Sequence, residues 1–213
     1  MEHVSNLLFW ISNGLLVPVI VGLLFFFLKS VWLLGGFAGQ YLQHAKRDKQ
    51  LQRRMKALTT DTLAPFAGEL KAQPDSQFTE TARRLLDAPG EAARNRTLSE
   101  YEITADAELG QYKLLVKFGP ILGLMGTLIP MGPALAGLSS GDISSMAYNM
   151  QVAFATTVLG LFAGAAGFVL LQVKQRWFTA DLVYLDYLSA LAGEKNQTSL
   201  RASSLLTAKI IAE

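Results

Sequence analysis

The sequence predicts an all-α integral membrane protein with three transmembrane helices, some of them extending as long helices into the cytoplasm. Three observations carry this. Val4 to Leu28 is 25 residues without a charge, Phe118 to Gly141 is 24 and Ile143 to Val173 is 31. A bilayer core needs about 20 apolar residues for one helical crossing. Charged residues make up 17% of the chain and mean hydropathy is +0.29, against about 25% charge in soluble domains. Finally, the basic residues are unevenly spread: 13 of 19 fall in residues 40–117 and 5 in residues 174–213, with Lys29 the last.

The first helix covers 1–39. A cleaved leader needs a basic start, a shorter apolar core and a small-residue cleavage site. Only Glu2 and His3 precede this run, so it reads as an uncleaved helix. Gly14 and Pro18 interrupt it. Lys29 reaches the interface by extending its stem. Because cationic loops stay inside, the N-terminus is expected in the periplasm, the 40–116 loop in the cytoplasm and the 174–213 tail in the cytoplasm.

The 40–116 loop is polar and helical in pattern. Lys46, Arg47, Lys49, Arg53, Arg54 and Lys56 form a basic run, read as a headgroup-facing helix end. Pro65, Gln73–Pro74–Asp75 and Ala88–Pro89–Gly90 punctuate the loop. Phe78 to Leu86 suits a short helix. Ser99 with Glu102 resembles a capping box, which predicts a helix starting there and running into the second crossing. The loop is too short and interrupted for a separate enzyme domain. It has no phosphate-binding glycine loop, and its acids read as a solvated helix face.

The second crossing is placed at 117–139, the periplasmic turn at 140–147 and the third crossing at 148–173. Gly119, Gly123, Gly126, Pro130, Pro133 and Gly137 step by four and three along the second. Ala153, Thr157, Gly160, Gly164 and Gly167 step the same way along the third. Such steps keep small residues on one helix face, where close packing holds helices together in lipid. Gly123, Gly126, Pro130, Pro133, Gly160, Gly164 and Gly167 are the expected packing residues. The hydroxyls on or beside these stripes are Thr127, Thr156 and Thr157. They either face a polar path through an assembly or bond a carbonyl one turn back. Pro130 and Pro133 each remove a backbone donor and are expected to kink the helix. The tail opens with Trp177 beside Lys174 and Arg176 as an interfacial anchor and continues as helix.

Composition excludes several classes. The chain has no cysteine, so disulfides and thiolate metal sites are absent. His3 and His44 are far apart and form no ligand-spaced cluster. No catalytic residue, metal or cofactor is expected. The basic pI near 8.8 reflects residues beside the membrane, and the expected surface partner is the lipid bilayer and not nucleic acid.

Gly123–Leu124–Met125–Gly126–Thr127, followed by Ala155–Thr156–Thr157–Val158–Leu159–Gly160–Leu161, resembles the MotA/TolQ/ExbB proton-channel family, and the three-helix layout resembles its ExbB/TolQ branch. The resemblance implies a homopentamer in the bacterial inner membrane around a single-crossing partner of the ExbD/TolR/MotB type, which carries a membrane Asp. It implies a proton-channel or stator subunit that uses the proton motive force to energise an envelope or outer-membrane uptake process. Thr127 and Thr157 match its polar, pore-lining positions, with Thr156 adjacent. The charge pattern agrees, since none of the three crossings holds a carboxylate. Two departures stand out. The Glu that ExbB-like members carry near the outer start of the last crossing is absent from Asn149–Met150–Gln151–Val152. The G-T-L-I-P-M-G-P run resembles a divergent branch associated with haem or porphyrin uptake and CobN-like chelatases. The alternative function is a membrane scaffold that anchors a chelatase-like or other envelope complex without conducting protons.

Overall fold

The computed structural model describes residues 2–56, 58–59, 62–72 and 76–212. These form α1 (Glu2–Lys56), α2 (Leu63–Ala72), α3 (Gln77–Asp87), α4 (Glu91–Ser139) and α5 (Ile143–Ala212), with no strand among the described residues. α1, α4 and α5 each contain a stretch long and apolar enough to cross a membrane. At about 1.5 Å per residue, each of these helices is far longer than the roughly 30 Å bilayer core. The chain is a membrane protein built from long helices.

The chain divides into two compact units. The first comprises Met1–Leu42 and Leu109–Lys174. In it α4 and α5 lie side by side along their small residues, and α1 packs on both. Phe26 of α1 stacks on Phe118 of α4 with ring centroids 6.1 Å apart, and Phe27 meets Phe162 of α5 at 5.4 Å. Val19 and Leu23 of α1 are buried, as is Ser30, whose hydroxyl donates to the Phe27 carbonyl at 2.7 Å. That bond satisfies a polar group that would otherwise be costly among apolar neighbours.

The link between α4 and α5 is shorter than the expected 140–147, because both helix ends are capped by the turn itself. Gly141 has φ +77°, a left-handed conformation in which glycine has no Cβ penalty. It lets the Asp142 N–H reach the Gly137 carbonyl at 2.8 Å and the Gly141 N–H reach that of Leu138 at 3.2 Å, the paired bonds of a Schellman ending. Asp142 then starts α5 by accepting from the Ser145 N–H at 3.0 Å, as an N-cap carboxylate does. The one charge between the two apolar runs is thus a cap. α4 passes through Pro120, Pro130 and Pro133 as one helix. Each proline lacks an N–H and removes a rung of the helix, here at the carbonyls of Val116, Gly126 and Ile129.

The second unit comprises Gln43–Glu108 and Gln175–Glu213. Met55, Leu58, Leu63, Phe66 and Leu70 share a buried core with Phe78, Ala82 and Leu85 of α3, Tyr101 of α4, and Leu185, Leu188 and Leu191 of α5. Polar groups tie the helix ends into it. The Arg83 guanidinium donates to the Leu70 carbonyl at 2.8 and 3.1 Å, closing the end of α2. The Tyr187 hydroxyl donates to the Leu58 carbonyl at 3.0 Å.

α3 matches the short helix expected between Phe78 and Leu86, and its start is set by Ser76. The Ser76 side chain accepts from the Thr79 N–H at 3.2 Å, and the Thr79 hydroxyl accepts from the Ser76 N–H at 2.8 Å. This reciprocal box satisfies two orphan donors. Ser76→Ala is expected to cost about 1 kcal/mol, read as a lower thermal midpoint with the helix content of the native protein unchanged. The box expected at Ser99 and Glu102 is not a helix start, because α4 already begins at Glu91. Ala88, extended before Pro89, ends α3. The Arg94 N–H closes the first turn of α4 on the Gly90 carbonyl at 3.1 Å. Pro65 sits in the first turn of α2, where its missing N–H breaks no intrahelical bond. The expected turn at Gln73–Pro74–Asp75 lies outside the described residues, as do the side chains of Lys46, Arg47, Lys49, Arg53 and Lys56.

Candidate functional site

The seam between α4 and α5 is closed backbone to backbone. A methyl group at Gly160 would lie 2.6 Å from the Gly119 carbonyl oxygen and 2.7 Å from the Gly123 Cα. One at Gly119 would lie 2.8 Å from the Gly164 nitrogen, and one at Gly123 would lie 3.2 Å from the Gly160 Cα. At its ends the seam meets side chains instead. Gly164 faces the Pro120 ring at 2.7 Å and Gly167 faces the Leu115 Cβ at 2.6 Å, by the same measure. Carbon atoms rest at about 3.5–4.0 Å, so at Gly119, Gly160, Gly164 and Gly167 only glycine fits without moving a helix, while Gly123 is tight by a few tenths of an ångström.

Among the expected packing residues, Gly123, Gly126, Pro130, Gly160, Gly164 and Gly167 are all buried, whereas Pro133 is half-buried. Ala134, 2% exposed, takes the position on the stripe expected of Pro133. The same one-residue offset occurs on α5. Thr156 is 5% exposed and occupies the seam between Ala153 and Gly160, while Thr157 is half-buried at its edge. A methyl group at Gly126 would lie 2.7 Å from both Cβ and Oγ1 of Thr156. Thr156 is thus a knob that the missing side chain of Gly126 admits.

Thr127 and Thr157 lie on one flank of the seam. At about 100° per residue, Thr127 is about 180° round α4 from Phe118 and about 140° from Leu122, while Thr157 is about 140° round α5 from Phe162. Phe118, Leu122 and Phe162 meet α1, through Phe26, Gly22 and Phe27. The two threonines therefore stand on the side turned away from α1. Around them this flank is apolar and open, with Leu124 60%, Met131 42%, Leu161 56% and Phe168 51% exposed.

Each hydroxyl donates to its own helix. Thr127 Oγ1 donates to the Leu124 carbonyl at 2.7 Å. Thr156 Oγ1 and Thr157 Oγ1 both donate to the Ala153 carbonyl, at 2.8 and 3.2 Å. A hydroxyl so engaged keeps two lone pairs. Thr127 and Thr157 consequently present acceptor sites on an apolar surface, and by rotating about χ1 either could present a donor. No Asp, Glu, His, Lys or Arg lies between Phe118 and Ser139 of α4 or between Ile143 and Val173 of α5. Among the described residues no three His, Cys, Asp or Glu side chains gather as a metal site.

Sequence reasoning missed three members of this arrangement: Pro120 against Gly164, Leu115 against Gly167, and Ala134. A signal for Pro120 was present, since it directly follows Gly119, the first residue of the stripe, and stands one turn before Gly123. Among its described residues the second unit also holds two buried charged residues that periodicity did not single out. Asp181 is 6% exposed and accepts from the Tyr101 hydroxyl at 3.4 Å. Arg94 is 7% exposed and packs on Gly193, where an added methyl would lie 3.1 Å from its guanidinium.

Comparison with known proteins bears on this seam directly. The model of the MotA/TolQ/ExbB proton channel family matches residues 70–182, a span that includes all three threonines and every seam glycine named above. Motility protein A of Cereibacter sphaeroides is 33% identical over 123 residues, which are 55% of this chain and 47% of that protein. The chain spans about half the length of the curated relative it matches. With a family model covering more than half of its residues, the chain belongs to the MotA/TolQ/ExbB proton channel family.

Proposed function

We propose that the protein is the channel or stator subunit of an inner-membrane motor driven by the proton motive force. The supporting observation is the acid-free seam with two threonine hydroxyls on an open apolar flank. A proton cannot cross the bilayer core as a bare charge, since even a side-chain charge at its centre costs roughly 2.5–3.5 kcal/mol by insertion scales. It must be carried by a group that binds and releases it. This chain's crossings supply hydroxyls but no such group. The titrating side chain therefore comes from elsewhere, and a single-crossing partner of the MotB, ExbD or TolR type with a membrane Asp fits the flank. A protonated Asp would donate to a threonine lone pair, and the carboxylate left after release would accept a threonine O–H.

In this reading copies of the chain, five by family expectation, surround the partner with the Thr127–Thr157 flank inward. The N-terminus and the Asp142 turn are periplasmic, and the second unit is cytoplasmic. The motion drives work at the envelope, with outer-membrane uptake of the haem or porphyrin class as the expected process.

Reconstituted proteoliposomes with an imposed pH gradient test this. Proton flux is expected only when the chain and the partner are present together, and partner Asp→Asn should remove it. Equal flux from the chain alone would overturn the proposal. So would a monomeric mass for the purified complex.

A further inference from the structure

Two hydroxyls compete for one carbonyl at the centre of the seam. Thr156 and Thr157 both donate to Ala153 O, and the bonds differ. That of Thr156 is the shorter, 2.8 Å against 3.2 Å, and Thr156 is 5% exposed whereas Thr157 is at the edge. The same oxygen is also the acceptor in the backbone rung from the Thr157 N–H, as helix geometry requires. A carbonyl has two lone pairs, so three donors must share them, and of the two hydroxyls Thr157 Oγ1 is the more weakly held.

Thr156 itself has no freedom to yield. Its Cβ and Oγ1 fill the space left by Gly126, with an added methyl there only 2.7 Å away. A threonine in a helix divides between two χ1 rotamers, and Thr156 has only the space left by Gly126 in which to turn, with its methyl already 3.1 Å from where a Gly126 methyl would lie. Thr157, on the open flank, has no such wall.

We propose that Thr156 is a positioning residue: by saturating the Ala153 carbonyl from inside the seam, it keeps the Thr157 hydroxyl loosely held and able to turn between its own backbone and a group on the flank. This rests on the reading of Thr157 as part of the proton path, and adds that the residue beside it sets how readily that hydroxyl is released. The pairing explains why two adjacent threonines occur where one reaches the flank. Without Thr156 the Thr157 O–H would settle on Ala153 and act as a fixed acceptor only.

Thr156→Val tests it, because valine keeps the shape that fills Gly126 and removes only the hydroxyl. Reconstituted with the partner, this variant is expected to lose roughly two- to tenfold in proton flux, the span of one neutral hydrogen bond, while the mass of the complex is unchanged. Thr156→Ser, which restores the donor, should recover most of it. The Thr157 side chain, followed by NMR of labelled threonine methyls, should shift in Thr156→Val towards a single rotamer and return in Thr156→Ser. Thr157→Val is measured in parallel. If Thr157→Val is inactive and Thr156→Val conducts as the native protein does, or if the Thr157 rotamer does not respond, the positioning role is overturned and the path stands. If Thr157→Val itself conducts normally, the path reading falls, and this inference with it.

Discussion

Gly160→Ala is expected to destabilise the assembled helices more than any other single methyl added to the chain. The new carbon would sit 2.6 Å from the Gly119 oxygen, 2.7 Å from the Gly123 Cα and 2.9 Å from the Gly123 nitrogen. All three are backbone atoms, so no rotamer change relieves the overlap, and α4 and α5 must separate by about an ångström to reach ordinary contact. A gap of that size forfeits a quarter to a half of each contact well along the seam. In lipid there is little hydrophobic drive to compensate. Overpacking in cores costs about 1–3 kcal/mol, and here the upper end or beyond is expected, read as a fall in the thermal midpoint of the purified protein and loss of its assembled form. Gly160→Val should be worse. Gly110→Ala on α4, where nothing lies within 4 Å, is the matched comparison: alanine is the better helix former by about 0.5–1 kcal/mol, so the sign should reverse. Equal midpoints for the Gly160 and Gly110 variants would mean that the two helices are not in contact in the folded protein.

That contrast shows what the sequence can and cannot express. Steps of four and three, Gly119–Gly123–Gly126 and Gly160–Gly164–Gly167, identify a face of a helix, because side chains recur at 3.6 residues. The three charge-free runs were equally legible, since lipid imposes a length and a polarity on any segment that crosses it. Phase to within one residue was not legible. Thr156 and Thr157 differ by about 100° of rotation, and only the position of Gly126 on the other helix decides which of them enters the seam. Pro133 and Ala134 exchange places on α4 for the same reason. Helix starts were legible where a break precedes the cap, as at Ser76. They were misleading where a cap-like pair sits inside a run of good helix formers. Ser99 and Glu102 follow eight residues, Glu91–Leu98, that are already helical. A capping box stabilises a start only where the chain before it has left the helix, and here Pro89–Gly90 placed that break earlier. The continuation of α1 to Lys56 belongs to the same class: Gly35, Gly36 and Gly39 lower helix propensity but do not end a helix with apolar residues on both sides of them.

Thr157→Val is expected to cut proton-driven work by roughly ten- to a hundredfold while leaving the helices assembled. Valine matches threonine in shape, and the position is half-buried at the edge of the seam and not wedged within it, so packing changes little. What disappears is the hydroxyl that now donates to Ala153 at 3.2 Å. Its loss leaves the Ala153 carbonyl still served by Thr156 at 2.8 Å, and no buried acceptor on this chain is stranded. The consequence falls on the group that approaches the flank. A carboxylate facing valine on an apolar surface loses a donor, and a hydrogen bond to a charged group is worth about 1.5–3 kcal/mol. At about 1.4 kcal/mol per factor of ten, flux should fall by roughly ten- to a hundredfold. Thr127→Val removes the companion hydroxyl across the seam, whose bond to Leu124 is likewise internal to its own helix, and the double variant should be silent. Thr157→Ser separates chemistry from shape: it keeps the hydroxyl, loses the methyl and should retain most of the flux. The measurement is proton flux per assembled complex in liposomes, normalised to the amount of intact oligomer. Normal flux in the double variant would show that protons cross without either hydroxyl, and the seam would then be packing alone.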